Sequence, residues 1–181
     1  MEFYVVVEIG KSEIRAISDS LITMENCETH KIDLELDHPA LIDTTGYLLE
    51  GGKLIYYSDN ALKIAKENKL QELSIACQKS IEYGFDYAHG DKVYHFSLDQ
   101  EAQLNFSNVY QLMRDGLVES TTWTVQVDGE YSRLEVNQDM MKDLNLYILR
   151  HRTQNISKFR DTLSLQVQQA KDIATVESIR W

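Results

Sequence analysis

Apolar residues alternate with polar ones in short runs at the start of the chain and recur every three or four positions further on. Glu2–Ile9 is dense in Val and aromatics and reads as a strand. Gly10-Lys11-Ser12 makes a turn, and Glu13–Ile17 returns as a second strand. Thr29–Asp37 alternates in its second half: Ile32, Leu34 and Leu36 on one face, Asp33, Glu35 and Asp37 on the other, the pattern of a half-buried strand. Tyr47–Glu50 and Lys53–Tyr57 flank Gly51-Gly52, a two-residue hairpin signal. Together these segments predict a small antiparallel β domain over 1–57.

The period then changes. Leu70, Leu73, Cys77 and Ile81 fall at helical spacing, with Ser58 or Asp59 as a cap and Gly84 as a stop. The other faces are rich in Lys, Glu and Gln, so 58–84 reads as an amphipathic connector helix. Phe85–Tyr87 and Lys92–Phe96 bracket His89-Gly90-Asp91 as a hairpin. Ser97 with Gln100 reads as a capping box that opens a helix striped by Leu98, Ala102, Phe106, Val109 and Met113 and stopped by Asp115-Gly116. Thr121–Val127 and Glu130–Val136 surround Asp128-Gly129, another hairpin. Asn137 caps a long helix predicted to run to about Asp172, striped by Leu144, Ile148, Ile156, Phe159, Leu163 and Val167. Ala174–Trp181 reads as a short strand or turn. The predicted class is α+β: an N-terminal antiparallel β domain (1–57), a connector helix (58–84) and a C-terminal ββαββα domain with a long helix (85–181). The long stripe is narrow and broken at His151–Asn155. Helices of that kind pack along a partner, often a symmetric copy, which points to an oligomer.

Composition restricts the function classes. Eighteen Lys and Arg stand against 29 Asp and Glu in 181 residues, a net charge of −11. That repels phosphate backbones and anionic membrane surfaces, so neither a nucleic-acid partner nor membrane insertion is expected. The start Met1-Glu2-Phe3 lacks the pattern of a signal peptide. Cys27 and Cys77 form no redox or zinc motif, and Cys77 reads as a small buried hydrophobe.

The sequence contains no nucleophile elbow, P-loop, dinucleotide fingerprint or zinc-protease helix. Asp33, Glu35 and Asp37 are like-charged neighbours on a wet face, not a pair whose environments push their pKa values apart. His30, His38, His89, His95 and His151 are scattered, without partners at ligand spacing. The expectation is a protein without catalysis, metal or cofactor. His151 reads as a hydrogen-bonded core or interface histidine, or as a pH-sensitive layer in an oligomer. Tyr56, Tyr57, Tyr83, Phe85, Tyr87 and Tyr94 read as packing at the junction or as a docking surface. Trp123 alternates with Val125 and Val127 and reads as core, and the terminal Trp181 as packed.

Leu73, Cys77, Ile81, Gly84 and Phe85, followed by Tyr94-His95-Phe96 and Gln103-Leu104-Asn105-Phe106, make a pattern that resembles tail- and baseplate-associated, tail-fibre-related structural proteins of phages and prophages of Gram-positive bacteria. There a helix with a late Cys and Ile runs into Gly-Phe, a hairpin, a Gln-x-Asn helix, a second hairpin with a Trp (here Trp123) and a long helix. The resemblance covers about residues 70–181; the N-terminal piece resembles more loosely the small β modules that begin such proteins. Ala102 departs from the pattern, where an acidic residue is expected. The resemblance implies a virion component of the tail tip or baseplate, made in the host bacterial cytoplasm. It would join other tail proteins and copies of itself, with a trimer favoured. A host-glycan-binding tip and a fibre assembly chaperone are the alternatives. The candidate contact residues are Tyr83, Phe85, Tyr87, Ile148, His151, Ile156, Phe159, Leu163 and Trp181.

Overall fold

Three consecutive valines, Val5, Val6 and Val7, are all fully buried, so the first strand lies at the centre of its sheet and packs on both faces. The computed structural model describes residues 1–181. Strands β1 (Glu2–Glu8), β2 (Ile14–Ser18) and β3 (Cys27–Asp33) form an antiparallel sheet in the order β2-β1-β3. β4 (Tyr47–Glu50) and β5 (Lys53–Tyr56) form a hairpin whose two turn residues, Gly51 and Gly52, have φ of 56° and 77°. Phe3, Val5, Val7 and Ile32 make the core here, closed by Ile14, Ile17, Leu41, Leu49 and Leu54.

The third strand differs from its expected span. It ends at Asp33, because its neighbour β1 begins at Glu2, directly opposite. Leu34 still exchanges two bonds with Met1, its N–H donating to the Met1 carbonyl at 3.0 Å and its carbonyl accepting from the terminal amine at 2.9 Å, and it packs on the core; Leu36 is exposed. The alternation at Glu35–Asp37 continues past the first residue of the chain opposite, and alternation without a partner makes no ladder.

Helix α1 spans Ser58–Tyr83. Its start is not capped by Ser58 or Asp59: Tyr57 holds the cap position, with its N–H donated to Gly46 and its carbonyl receiving the N–H of Ala61. Strands β6 (Phe85–His89), β7 (Lys92–Phe96), β8 (Ser120–Val127) and β9 (Glu130–Asn137) form a four-stranded antiparallel sheet in that order. Helix α2 (Gln100–Arg114) is capped by Asp99, whose carboxylate accepts the Ala102 N–H at 2.8 Å; Ser97 and Gln100 form no box. Asn137 caps helix α3 (Gln138–Ser157) through the N–H of Met140 at 3.0 Å, as expected.

The long helical run continues through a π-helical turn (Lys158–Leu163) into α4 (Ser164–Gln169), and the last element is a short helix, α5 (Ile173–Ser178), not a strand. The expected single helix to Asp172 is therefore a run with a change of phase. A π turn adds a residue per turn and rotates the following stripe. That rotation lets Leu163 and Val167 pack on Leu73 and Ile179, while Leu144 and Ile148 lie in the main core with Phe96, Phe106 and Met141. Apart from Ile156, the narrow stripe is covered within the chain, so it does not by itself call for a second copy.

The chain divides into two compact units: Met1–Lys69 with Gln169–Ser178, and Leu70–Gln168 with Ile179–Trp181. The division falls inside α1 and not at its ends. From Leu70 onward α1 is no free connector: Leu73, Cys77 and Ile81 are core residues of the second unit.

Exposed carboxylates set the acid limit. Lys11 and Arg15 both bond Glu8 and hold its carboxyl below the usual range; hydrogen bonds from Thr45 do so for Asp43, Arg160 and Ser157 for Asp161, and Thr175 for Asp172. A lowered folded-state pKa contributes stability above the unfolded value and loses it as pH falls through the folded one. The urea midpoint is therefore expected to hold from pH 7 to about 5 and to fall once pH drops below about 4, the ordinary carboxylate range. Melts followed by circular dichroism test this; a midpoint that rises from pH 5 to 3 contradicts it.

Candidate functional site

Most of the expected contact residues are consumed by packing inside the second unit. Phe85 is buried and stacks on Phe96 with ring centroids 5.6 Å apart. Tyr87 is buried edge-on to Tyr147 at 5.1 Å, and its hydroxyl donates to Asp143 at 3.3 Å. Burial, and then the nearby Asp143 carboxylate, push its phenol pKa up. Ile148 and Leu163 are core, and Phe159 is half-buried against both clusters. Trp181 packs against the same residues with the Lys158 ammonium 4.3 Å from its ring centroid, a cation–π contact that fastens the terminus. Of these six side chains Phe85, Tyr87, Ile148 and Leu163 are buried, while Phe159 and Trp181 keep part of their surface in solvent.

His151 and Asn155 explain the gap in the apolar stripe. Both lie on the inward side of α3 and are half-buried. His151 Nε2 sits 3.1 Å from the Ser80 carbonyl and 3.3 Å from that of Ile81, and Nδ1 faces the Asn155 amide at 3.5 Å. An Nε2–H tautomer satisfies this arrangement, donating to the last turn of α1 while accepting from Asn155. Helix ends carry carbonyls without helical partners, and the imidazole serves them as a cap from the side. The polar interruption is thus a structural joint, in line with the core-histidine reading. Cys77 beside it directs its thiol to the Asn155 carbonyl at 3.5 Å, and burial pushes that thiol's pKa up, away from reactivity. His151→Ala is expected to cost about 1–3 kcal/mol, the penalty of stranding the part-buried Ser80 carbonyl, since that of Ile81 keeps the Gly84 N–H at 3.1 Å. Urea melts measure it, and a loss under about 0.5 kcal/mol would remove the capping role.

Two expected contact residues do reach solvent. Tyr83 is 74% exposed at the end of α1. Its ring lies 4.6 Å from that of His95, which bonds Asp86 through Nδ1 at 2.8 Å and the Tyr83 carbonyl through Nε2 at 2.9 Å. Ile156 is 39% exposed, outside the stripe to which its spacing assigned it.

Ile156 belongs instead to a second row. Leu146, Leu149 and Ile156 are all exposed and lie three and seven residues apart; Leu146 and Leu149 face away from Leu144 and Ile148, and Ile156 sits on the flank, bordering a groove with Ile75, Cys77 and Ile81 of α1. Leu165 is exposed on α4 beyond the π turn. Sequence reading missed this row because the stripe through Leu144 and Ile148 absorbed the neighbouring apolar positions. No three His, Cys, Asp or Glu side chains are grouped as a metal site would need. No helix is long and apolar enough to cross a membrane. No family model, no curated protein and no solved structure matches the chain.

Proposed function

We propose that the protein is a structural component of a phage tail tip or baseplate, holding other tail proteins and copies of itself through protein–protein contacts. The observation that carries the reading is the outer row Leu146, Leu149 and Ile156, large side chains left in water on a helix whose inner side is already packed. Aligned exposed leucines on a solvated helix are a cost unless another surface covers them. The resemblance of residues 70–181 to tail-associated proteins supplies the setting, and a three-fold assembly through the outer row fits a helix with heptad-like spacing.

Light scattering on the wild type and on a Leu146→Ser, Leu149→Ser, Ile156→Ser triple variant tests it, alongside mass spectrometry of purified particles. The expected result is a wild-type oligomer, a monomeric variant with an unchanged urea midpoint, and the protein present in particles. A stable wild-type monomer at micromolar concentration with no particle incorporation would sink the reading.

A further inference from the structure

The four-stranded sheet is incompletely paired at its middle. β7 meets β8 at one ladder position, His95 opposite Gln126. In an antiparallel register that places Ser97 opposite Thr124, and there the chain leaves β7 for the cap of α2. β8 runs on for Ser120–Thr124 with β9 on one side and no strand on the other.

The hairpin fixes which backbone groups are left over. Val127 and Glu130 flank the two-residue turn Asp128-Gly129 and so form a hydrogen-bonded pair. Alternation then directs the N–H and C=O of Val125, Trp123 and Thr121 at β9. Those of Gln126, Thr124, Thr122 and Ser120 point the other way. Gln126 uses its outward groups on β7, whereas Thr124 and Thr122 direct theirs at no strand.

A groove of about 400 Å³ occupies that place. Four consecutive β8 residues, Thr121–Thr124, line it, and consecutive residues share a wall only along a strand's edge, since a face shows every second one. The opposite wall is the Asp99 cap and the first ten residues of α2, with Ala102 and Val109 as apolar lining and Asp99 and Glu101 as carboxylates. Trp123, half-buried, stacks one face on Phe106 at 4.1 Å. The outer strand β9 is guarded by Glu130, Arg133 and Glu135, as exposed edges are. The free stretch of β8 carries only Ser and Thr as polar groups, with no charge.

The geometry points to a peptide-binding groove: β8 accepts an extended segment of a partner protein as an added strand, bonded to the outward groups of Thr122 and Thr124 and seated on Ala102, Val109 and Trp123. Five unpaired residues span about 16 Å, room for a strand of similar length. Asp99 and Glu101 outnumber Arg133 along the groove, so the segment carries Lys or Arg beside its β-branched residues. At this groove the local carboxylates favour a basic segment over an acidic one. The assignment rests on strand register and does not depend on the tail reading.

The test is selection of a displayed library of random heptapeptides on the full chain, against an Asn105→Trp variant that fills the groove from an exposed helix position. Enriched peptides are expected to be β-branched and basic. A synthetic one is expected to slow amide exchange at Thr122 and Thr124 at least tenfold and at Thr121 and Trp123 less than twofold. Thr124→Pro, which removes an outward N–H, and Asn105→Trp are each expected to weaken it at least tenfold; if the proline variant does not fold, Asn105→Trp decides. The proposal is overturned if no peptide is enriched or if the enriched peptide leaves Thr122 and Thr124 unprotected. It is also overturned if maltotriose or chitotriose shifts Trp123 while the library yields nothing, or if β8 pairs with β8 of a second copy in a dimer that Thr124→Pro dissociates.

Discussion

Gly84→Ala is expected to cost about 3–5 kcal/mol, enough to unfold much of the population of an ordinary domain. Gly84 joins α1 to β6 at φ +100°, a conformation close to exclusive to glycine. A Cβ there would lie 1.8 Å from the Phe96 carbonyl oxygen and 2.9 Å from Ser97 Cα, both backbone atoms of the neighbouring strand and its exit. Backbone in a paired strand cannot step aside as a side-chain tip can, so a strained φ of roughly 1–3 kcal/mol is joined by a clash. Gly90→Ala is the control: φ is +64° in the β6–β7 turn, and a Cβ would meet nothing within 4 Å. It should cost about 1 kcal/mol, the left-handed penalty alone. Urea melts of the pair decide the matter, and equal losses would show that the approach to Phe96 is not tight.

Gly84 also shows what the sequence made legible. A glycine after Leu73, Cys77 and Ile81 reads as a helix stop, and it is one; that it also admits a carbonyl from β7 depends on a strand pairing that local pattern does not encode. The hairpins at Gly51-Gly52 and Asp128-Gly129 were readable because positive φ at two successive residues leaves few residue choices. The failures share one cause. Glu35–Asp37 continues the alternation but has no chain opposite, Asp99 outcompetes Ser97 as a cap, and His151 and Asn155 take inward positions because neighbouring carbonyls need donors. Each outcome is set by what lies across from the residue. The groove beside β8 is the extreme case, since it arises from a difference in length between β7 and β8.

Leu144→Ala and Leu149→Ala, five residues apart on one helix, should behave as if they came from different proteins. Leu144 is fully buried among the aromatic residues of the second unit's core, whereas Leu149 is 62% exposed. Five residues are about 140° of helix rotation, so one side chain faces the sheet and the other the solvent. Truncating Leu144 removes buried methyl groups and leaves a cavity that Phe96, Phe106 and Met141 cannot close, for a loss of about 2–5 kcal/mol. The Leu149 variant should stay within about 0.5 kcal/mol in dilute protein. The contrast then extends to concentration: if copies cover the outer row, the Leu149 loss grows with protein concentration, because association stabilises only the folded state, while the Leu144 loss does not. Urea midpoints at micromolar and at hundredfold higher concentration separate the two. Equal, concentration-independent losses would mean that Leu149 is buried within its own chain and that the outer row is not a surface.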